Sequence, residues 1–169
     1  MTPREIFALI PSKLATEILD FTYAEDREIY RTALQAVAQN RKVRVVFLER
    51  QPRTQRHTEM AALLSRPPLA LVADSLLRNW LLKKHNALIV DFLDALKITH
   101  EKGVVDNLPP SIEDSLLQAA IEAVLAKYPA QVVAIYLHAF NHMNEAKWAN
   151  LDALLQKDPR LTDSLLLES

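Results

Sequence analysis

The stretch SIEDSLLQAAIEAVLAKYPAQVVAIYLHAF, residues 111–140, decides the fold class. Its first half places Leu117 and Ile121 on one face at helical spacing, behind polar and acidic residues typical of a helix start. Pro129 then ends this pattern and opens a second helix. The run at residues 132–137 is nearly all apolar, which indicates that the second helix is central and mostly buried. The stretch therefore predicts two consecutive helices.

Helix starts are also marked elsewhere along the chain. Thr2-Pro3-Arg4-Glu5 combines a capping threonine, a proline at the first helical position and a glutamate at the third. Thr22-Tyr23-Ala24-Glu25 has the spacing of a second capping box, and Ser111 and Asn86 are further caps. We expect the helix from Asn86 to end at Gly103. The whole pattern predicts about eight or nine helices.

Residues 42–48 form the one run that leans toward β-structure. Val43, Val45 and Phe47 alternate, and β-branched and aromatic residues are enriched in strands. A lone strand has no partner to pair with, so we interpret the run as a helix continuation or a short extended link that ends by Pro52. The sequence leaves helix and strand both open here.

The sequence predicts an all-α protein with a single domain over residues 1–169, arranged as a compact bundle or orthogonal helical array. The alternative is a short HEAT-like α-solenoid, because Asp-Ser-Leu-Leu recurs at Asp74, Asp114 and Asp163. The three copies sit at different positions relative to the helix pattern. We therefore favour the compact array over the solenoid.

Glycine and cysteine usage removes many catalytic signatures. Gly103 is the single glycine, so neither a G-x-G-x-x-G fingerprint, a Walker A loop nor a G-x-S-x-G elbow can be written. The absence of cysteine excludes thiol nucleophiles, disulfides and cysteine-ligated metals. We identify no catalytic residue and no cofactor motif, and the sequence leans away from an enzyme.

Charge is unevenly distributed although the net charge is −1. Residues 1–40 carry a net −2, residues 41–100 a net +6 and residues 101–169 a net −5. The sequence shows neither a leader pattern at its start nor an apolar run of about 18 residues. We expect a cytoplasmic protein that does not interact with a membrane.

The basic segment, residues 41–57, is the main candidate for binding. Arginines recur every three residues at 50, 53 and 56, and guanidinium groups suit carboxylate or phosphate. The leading hypothesis is a protein–protein interaction or scaffold module that binds an acidic partner protein. A nucleic-acid-binding accessory protein is the alternative, although Phe47 is the only nearby aromatic residue to stack on bases. The interpretation without a binding function is a solvated basic loop that has no partner. The candidate partner-binding residues are Arg44, Arg50, Arg53, Arg56 and His57.

A second constellation contains His138 and His142, four residues apart, with Glu145 on the same helical face. Histidines at this spacing can share one metal ion, and a glutamate can add a carboxylate ligand. The competing interpretation is the polar face of an otherwise buried helix, which also includes Gln131. We predict no metal site and keep a His/carboxylate metalloenzyme as the least favoured function.

The sequence predicts neither the oligomeric state nor the identity of a ligand.

Overall fold

The computed structural model describes residues 1–167, and it confirms the all-α fold class. Helix makes up 75% of the structure, and the described residues form eleven α-helices without a strand, slightly more helices than the sequence predicted. Backbone contacts divide the chain into an N-terminal unit, Thr2–Trp80, and a C-terminal unit, Leu81–Leu167. The single domain over residues 1–169 stays a prediction.

Within residues 1–167, no individual helix combines the length and the apolar character needed to cross a membrane. Among these same residues one pair of helices, Arg53–Leu63 with Pro67–Lys84, meets both conditions when the two are taken together, and the pair is bent by 111°.

The N-terminal unit is built around α2, which packs against α3 and α5, while α4 packs on α3 and α5. The apolar faces of these helices form its core, in which Ile18, Val37 and Met60 are fully buried. A 3-10 turn at Pro67–Leu69 precedes the last helix, which crosses the boundary between the units. The helices are α1 (Pro3–Leu9), α2 (Ser12–Glu25), α3 (Arg27–Arg41), α4 (Val45–Glu49), α5 (Arg53–Leu63) and α6 (Ala70–Lys84).

The capping predictions for this unit have different outcomes. The Thr2 hydroxyl accepts from the Glu5 amide and the Glu5 carboxylate accepts from the Thr2 amide, so the capping box is confirmed. The predicted capping box at Thr22–Glu25 is wrong. Thr22 lies inside α2, where its hydroxyl donates to the Ile18 carbonyl, 2.9 Å away. Asp26 caps α3 instead, since its carboxylate accepts from the Ile29 amide. A buried threonine can bond back to its own helix, whereas the aspartate at the chain bend caps the next one.

The β-leaning run at residues 42–48 divides between a bend and a short helix. Lys42 ends α3 in the left-handed region, with φ 56°, and α4 begins at Val45. Since α4 is only five residues long, it buries Leu48 and leaves Val46 and Phe47 exposed, at 51% and 53%. The run thus contains neither a strand nor a direct continuation of α3.

The C-terminal unit is built around α9, which contacts the helices before and after it. Every residue from Val133 to Phe140 is buried, which confirms that this apolar run forms a central helix. Asp158 caps α11 and a 3-10 turn, Asp163–Leu166, follows it. The helices are α7 (Asn86–Ala95), α8 (Asp114–Lys127), α9 (Ala130–Met143), α10 (Ala149–Lys157) and α11 (Pro159–Thr162).

The predicted end of α7 at Gly103 is wrong. Lys97 adopts φ 57° just after the helix, and the Ile98 amide donates to the Leu93 carbonyl, which closes the helix end earlier. Gly103, with φ 89°, instead lies in a turn closed by the bridge between Glu101 and Val104.

The start of α8 also differs from the prediction, since Glu113 rather than Ser111 precedes its first residue, Asp114. The loop before α8 is held by side chains that follow α9 in the chain. The Trp148 indole donates to the Pro109 carbonyl at 2.8 Å, and Asn150 donates to the Ile112 carbonyl at 2.9 Å. These bonds keep the residues around Ser111 out of the helix.

The three Asp-Ser-Leu-Leu copies do not occupy equivalent positions. Asp74 lies inside α6, Asp114 is the first residue of α8 and Asp163 begins a 3-10 turn. The tetrapeptide therefore does not mark a structural repeat.

Gly103→Ala is expected to destabilise the protein by about 1–3 kcal/mol, because a left-handed backbone disfavours a side chain. A Cβ at this position would also lie 2.9 Å from Cγ2 of Ile89. Urea unfolding followed by circular dichroism measures the loss. Lys97→Gly is the matched control, because it removes a Cβ at a position that is already left-handed. It is expected to leave the stability unchanged or to raise it. Equal stability of Gly103→Ala and the native protein would contradict this account of the turn.

Candidate functional site

Ten of the eleven arginines in the sequence fall in residues 2–80, whereas seven of the nine lysines fall in residues 81–167. Arginine presents a rigid fork of donors that matches carboxylate and phosphate oxygens, which lysine does not. The N-terminal unit thus concentrates the side chain best suited to binding such anions.

Several of these arginines surround a cavity of about 410 Å³ within the N-terminal unit, which we call the arginine cavity. Four of its lining residues come from one face of α3, at positions three or four apart. The others come from the last turn of α2, the end of α4 and the first turn of α5. The lining residues are Tyr23, Arg27, Tyr30, Arg31, Leu34, Glu49 and Arg56.

Arg56 is buried, with 7% of its surface exposed. Its Nε donates to the Tyr30 hydroxyl at 2.8 Å and its Nη1 donates to the backbone carbonyl of Glu49 at 3.2 Å. Both acceptors are neutral. The guanidinium group is thus fixed at the wall of the arginine cavity by α3 and α4.

His57 is buried deeper, at 1% exposure, and continues the hydrogen-bond network that begins at Arg56. Its Nδ1 lies 2.7 Å from Oδ1 of Asp20 and its Nε2 lies 2.8 Å from the Tyr30 hydroxyl. Burial lowers the pKa of His57, opposed by the hydrogen bond to Asp20. A neutral ring that donates through Nδ1 and accepts at Nε2 satisfies every bond.

Tyr30 joins the two halves of this network. Its hydroxyl accepts from Arg56 and donates to the neutral His57 ring, which in turn donates to Asp20. Burial raises the pKa of Tyr30, so the hydroxyl keeps the proton that it donates. The chain Arg56, Tyr30, His57, Asp20 has a donor and an acceptor at each step and ties α5 to α3 and α2.

Tyr23 forms an aromatic platform beside the arginine cavity. The guanidinium carbon of Arg27 lies 3.8 Å from its ring centroid, Arg53 lies at 5.2 Å and Arg56 at 5.9 Å. The hydrogen bond and charge of Arg27 lower the pKa of the Tyr23 hydroxyl. An aromatic face attracts cations, so Tyr23 holds these arginines together despite their repulsion.

The structure separates the five candidates of the basic segment. Arg44 and Arg50 flank α4 and are exposed, so neither lines the arginine cavity. Arg53 is exposed and reaches Tyr23 and Asp20, while Arg56 lines the cavity itself. His57 is buried within the network, so its ring has almost no surface with which to contact a partner.

The other half of the cavity was missed by sequence reasoning. Arg27, Tyr30, Arg31 and Leu34 are three or four residues apart on α3, so the sequence places them on one helical face. This spacing was the available signal, whereas Tyr23 lies on α2 and its approach could not be read from spacing. The positive charges of Arg27 and Arg31 do not show in the net charge of residues 1–40, because acidic residues outnumber basic ones there.

The three weak metal candidates, His138, His142 and Glu145, differ in burial. His138 is buried, and its Nε2 lies 3.0 Å from the Leu161 carbonyl, while burial lowers its pKa to about 4. His142 and Glu145 are exposed. Among residues 1–167 no group of three or more histidine, aspartate or glutamate side chains is placed to hold a metal ion.

No family model, no curated protein and no solved structure matches this chain. The interpretation of the arginine cavity therefore rests on its own geometry and charge.

Tyr30→Phe is expected to lower the free energy of unfolding by about 1–3 kcal/mol, because it leaves buried donors and acceptors of Arg56 and His57 unpaired. Urea unfolding measures this loss. Tyr23→Phe is the matched control, since it removes a hydroxyl that is not part of the network. A loss in Tyr30→Phe no larger than that in Tyr23→Phe would rule out the network as a stabilising element.

The lowered pKa of His57 makes stability depend on pH. An unfolded histidine titrates near 6.5, above the pKa of the buried ring, so the unfolded state binds the proton first. The free energy of unfolding therefore falls as the pH drops below 6.5 toward the pKa of the folded state. In His57→Gln this slope is expected to be shallower by up to about 1.4 kcal/mol per pH unit. Urea titrations at successive pH values measure the slope, and an unchanged slope would contradict the assignment.

Proposed function

We propose that this protein is a binding module that captures an acidic partner protein through the arginine cavity and the arginines beside it. The observation that carries the proposal is the convergence of Arg27, Arg31 and Arg56 on one cavity whose lining contains a single carboxylate, Glu49. An anionic group of the partner would bind these guanidinium forks, and charge complementarity would favour encounter.

The exposed side of α4, the helix whose end contributes Glu49 to the cavity, supports an interface with a protein. Val46 and Phe47 are exposed side by side on α4, between Arg44 and Arg50. Exposed aromatic residues and arginines are enriched in protein interfaces. Arg53 would extend the basic surface from Tyr23 toward α4. The basic segment predicted from the sequence thus forms one part of the proposed surface and α3 forms the other.

The test is affinity capture from a nuclease-treated lysate of the source organism, with the double variant Arg27→Glu/Arg31→Glu. Both side chains are exposed, so the fold is expected to persist, and circular dichroism checks that it does. We expect the captured acidic protein to be lost, because reversed charges repel it. Arg50→Glu/Arg53→Glu is expected to weaken capture as well.

The matched control is Arg66→Glu/Arg78→Glu, which makes the same change in charge at exposed positions outside the cavity. Capture is expected to remain with this control. If all variants capture the same proteins as the native chain, the proposal is wrong.

A nucleic-acid ligand remains the second candidate, and one observation favours it. Tyr23 lies among the arginines, which gives a second aromatic residue besides Phe47 on which a base could stack. Retention of the protein on single-stranded DNA or RNA that falls steeply with salt would support this candidate. Capture that disappears with nuclease would favour it over a protein partner.

A further inference from the structure

Arg56 takes part in no ion pair among residues 1–167, and the one carboxylate that lines the same cavity, Glu49, is shared with Arg27 and Arg31. Its hydrogen bonds go to the neutral hydroxyl of Tyr30 and to the backbone carbonyl of Glu49, and the ion pairs of the described chain do not include it. A buried cation is costly unless an anion is close. An anionic group that enters the arginine cavity would supply the missing charge.

The other two arginines of the cavity also have donors for a ligand. Arg31 is exposed and makes no hydrogen bond or ion pair within the described chain. Arg27 is exposed as well, and its hydrogen bond to the Tyr23 hydroxyl uses only part of its five N–H donors. With Glu49 included, the lining carries a net charge of +2. The cavity therefore suits an anion of two charges.

Two properties distinguish a phosphate monoester from a carboxylate as this anion. A phosphate monoester carries about −1.5 to −2 at pH 7 and three strong acceptor oxygens, which matches the net charge and the three guanidinium groups. A carboxylate carries one charge and two oxygens, and a single guanidinium fork satisfies it. We propose that the arginine cavity binds a phosphate monoester carried by a side chain of the partner protein.

This inference rests on the proposed function, and the dimensions of the cavity support a carrier larger than free phosphate. A volume of about 410 Å³ lies in the range of sites for small organic groups. The rings of Tyr23 and Tyr30 and the side chain of Leu34 line the rest of it. Phosphate would meet the arginines while the group that carries it packs on these rings.

Calorimetric titration of the full chain compares phenyl phosphate with benzoate, a carboxylate on the same ring. We expect phenyl phosphate to bind at least about tenfold more tightly, a difference of about 1.4 kcal/mol. Arg27→Gln/Arg31→Gln is expected to remove at least about tenfold of that affinity. Arg66→Gln/Arg78→Gln, outside the cavity, is expected to leave it within about twofold. Equal binding of the two probes, or equal affinity in both double variants, would overturn the inference.

The second arm identifies the carrier by capture from lysate treated with phosphatase. We expect phosphatase to abolish the capture that depends on Arg27 and Arg31. Capture that resists phosphatase but is lost in Arg27→Glu/Arg31→Glu would leave the proposed function intact and overturn the phosphate inference. Tight binding of phenyl phosphate without any captured protein would instead overturn the proposed function and assign the cavity to a small phosphate ester.

Discussion

The hydrogen bond between Nε of Arg56 and the hydroxyl of Tyr30 is the interaction on which the arrangement of the N-terminal unit depends. It lies in the interior, where an unmet donor or acceptor costs far more than a typical hydrogen bond contributes. The same hydroxyl donates to His57, which bonds to Asp20. One oxygen thus connects α5, α3 and α2. A shift of α3 relative to α5 by one residue would lose two buried bonds together, so the network favours the observed register between these helices.

The network also determines how the charge of the unit is exposed. Arg56 is fixed from behind by neutral groups, so its positive charge remains available at the cavity wall. The negative charge of Asp20 is directed elsewhere, toward the buried side of His57 and toward Arg53 at 3.9 Å. Had Asp20 paired with Arg56 directly, the net charge at the cavity would have fallen from +2 to +1. The Asp20 carboxylate, 55% exposed, bonds to the intervening histidine and does not line the cavity.

The sequence was sufficient for the helices but not for the way in which they assemble. Apolar periodicity and the Thr2 box predict local structure because the interactions lie within four residues. The cap at Asp26 is equally local, but Thr22 offered a competing box and bonded back into α2 instead. The start of α8 after Glu113 depends on bonds from Trp148 and Asn150, which lie far along the chain. Arginines 53 and 56 were identified because they lie in a visibly basic run. Arg27 and Arg31 were not, since they join that run only when α3 folds against α5, a contact between residues about 26 positions apart. His57 was expected to contact a partner at the surface, but it is buried. The sequence could not predict this burial, because it too arises only when α5 packs against α2 and α3.

The row of Asp20, His57 and Tyr30 has the distances of a carboxylate, a base and a hydroxyl nucleophile, yet its environment fits positioning and not attack. A nucleophilic oxygen needs an open side from which a substrate atom can approach. The Tyr30 oxygen already accepts from Arg56 and donates to His57, and the sulfur of Met60 lies 4.0 Å away in the buried interior. Its raised pKa also opposes formation of the phenolate. The arrangement thus holds a guanidinium group at the edge of the cavity, which is what the proposed function requires of it.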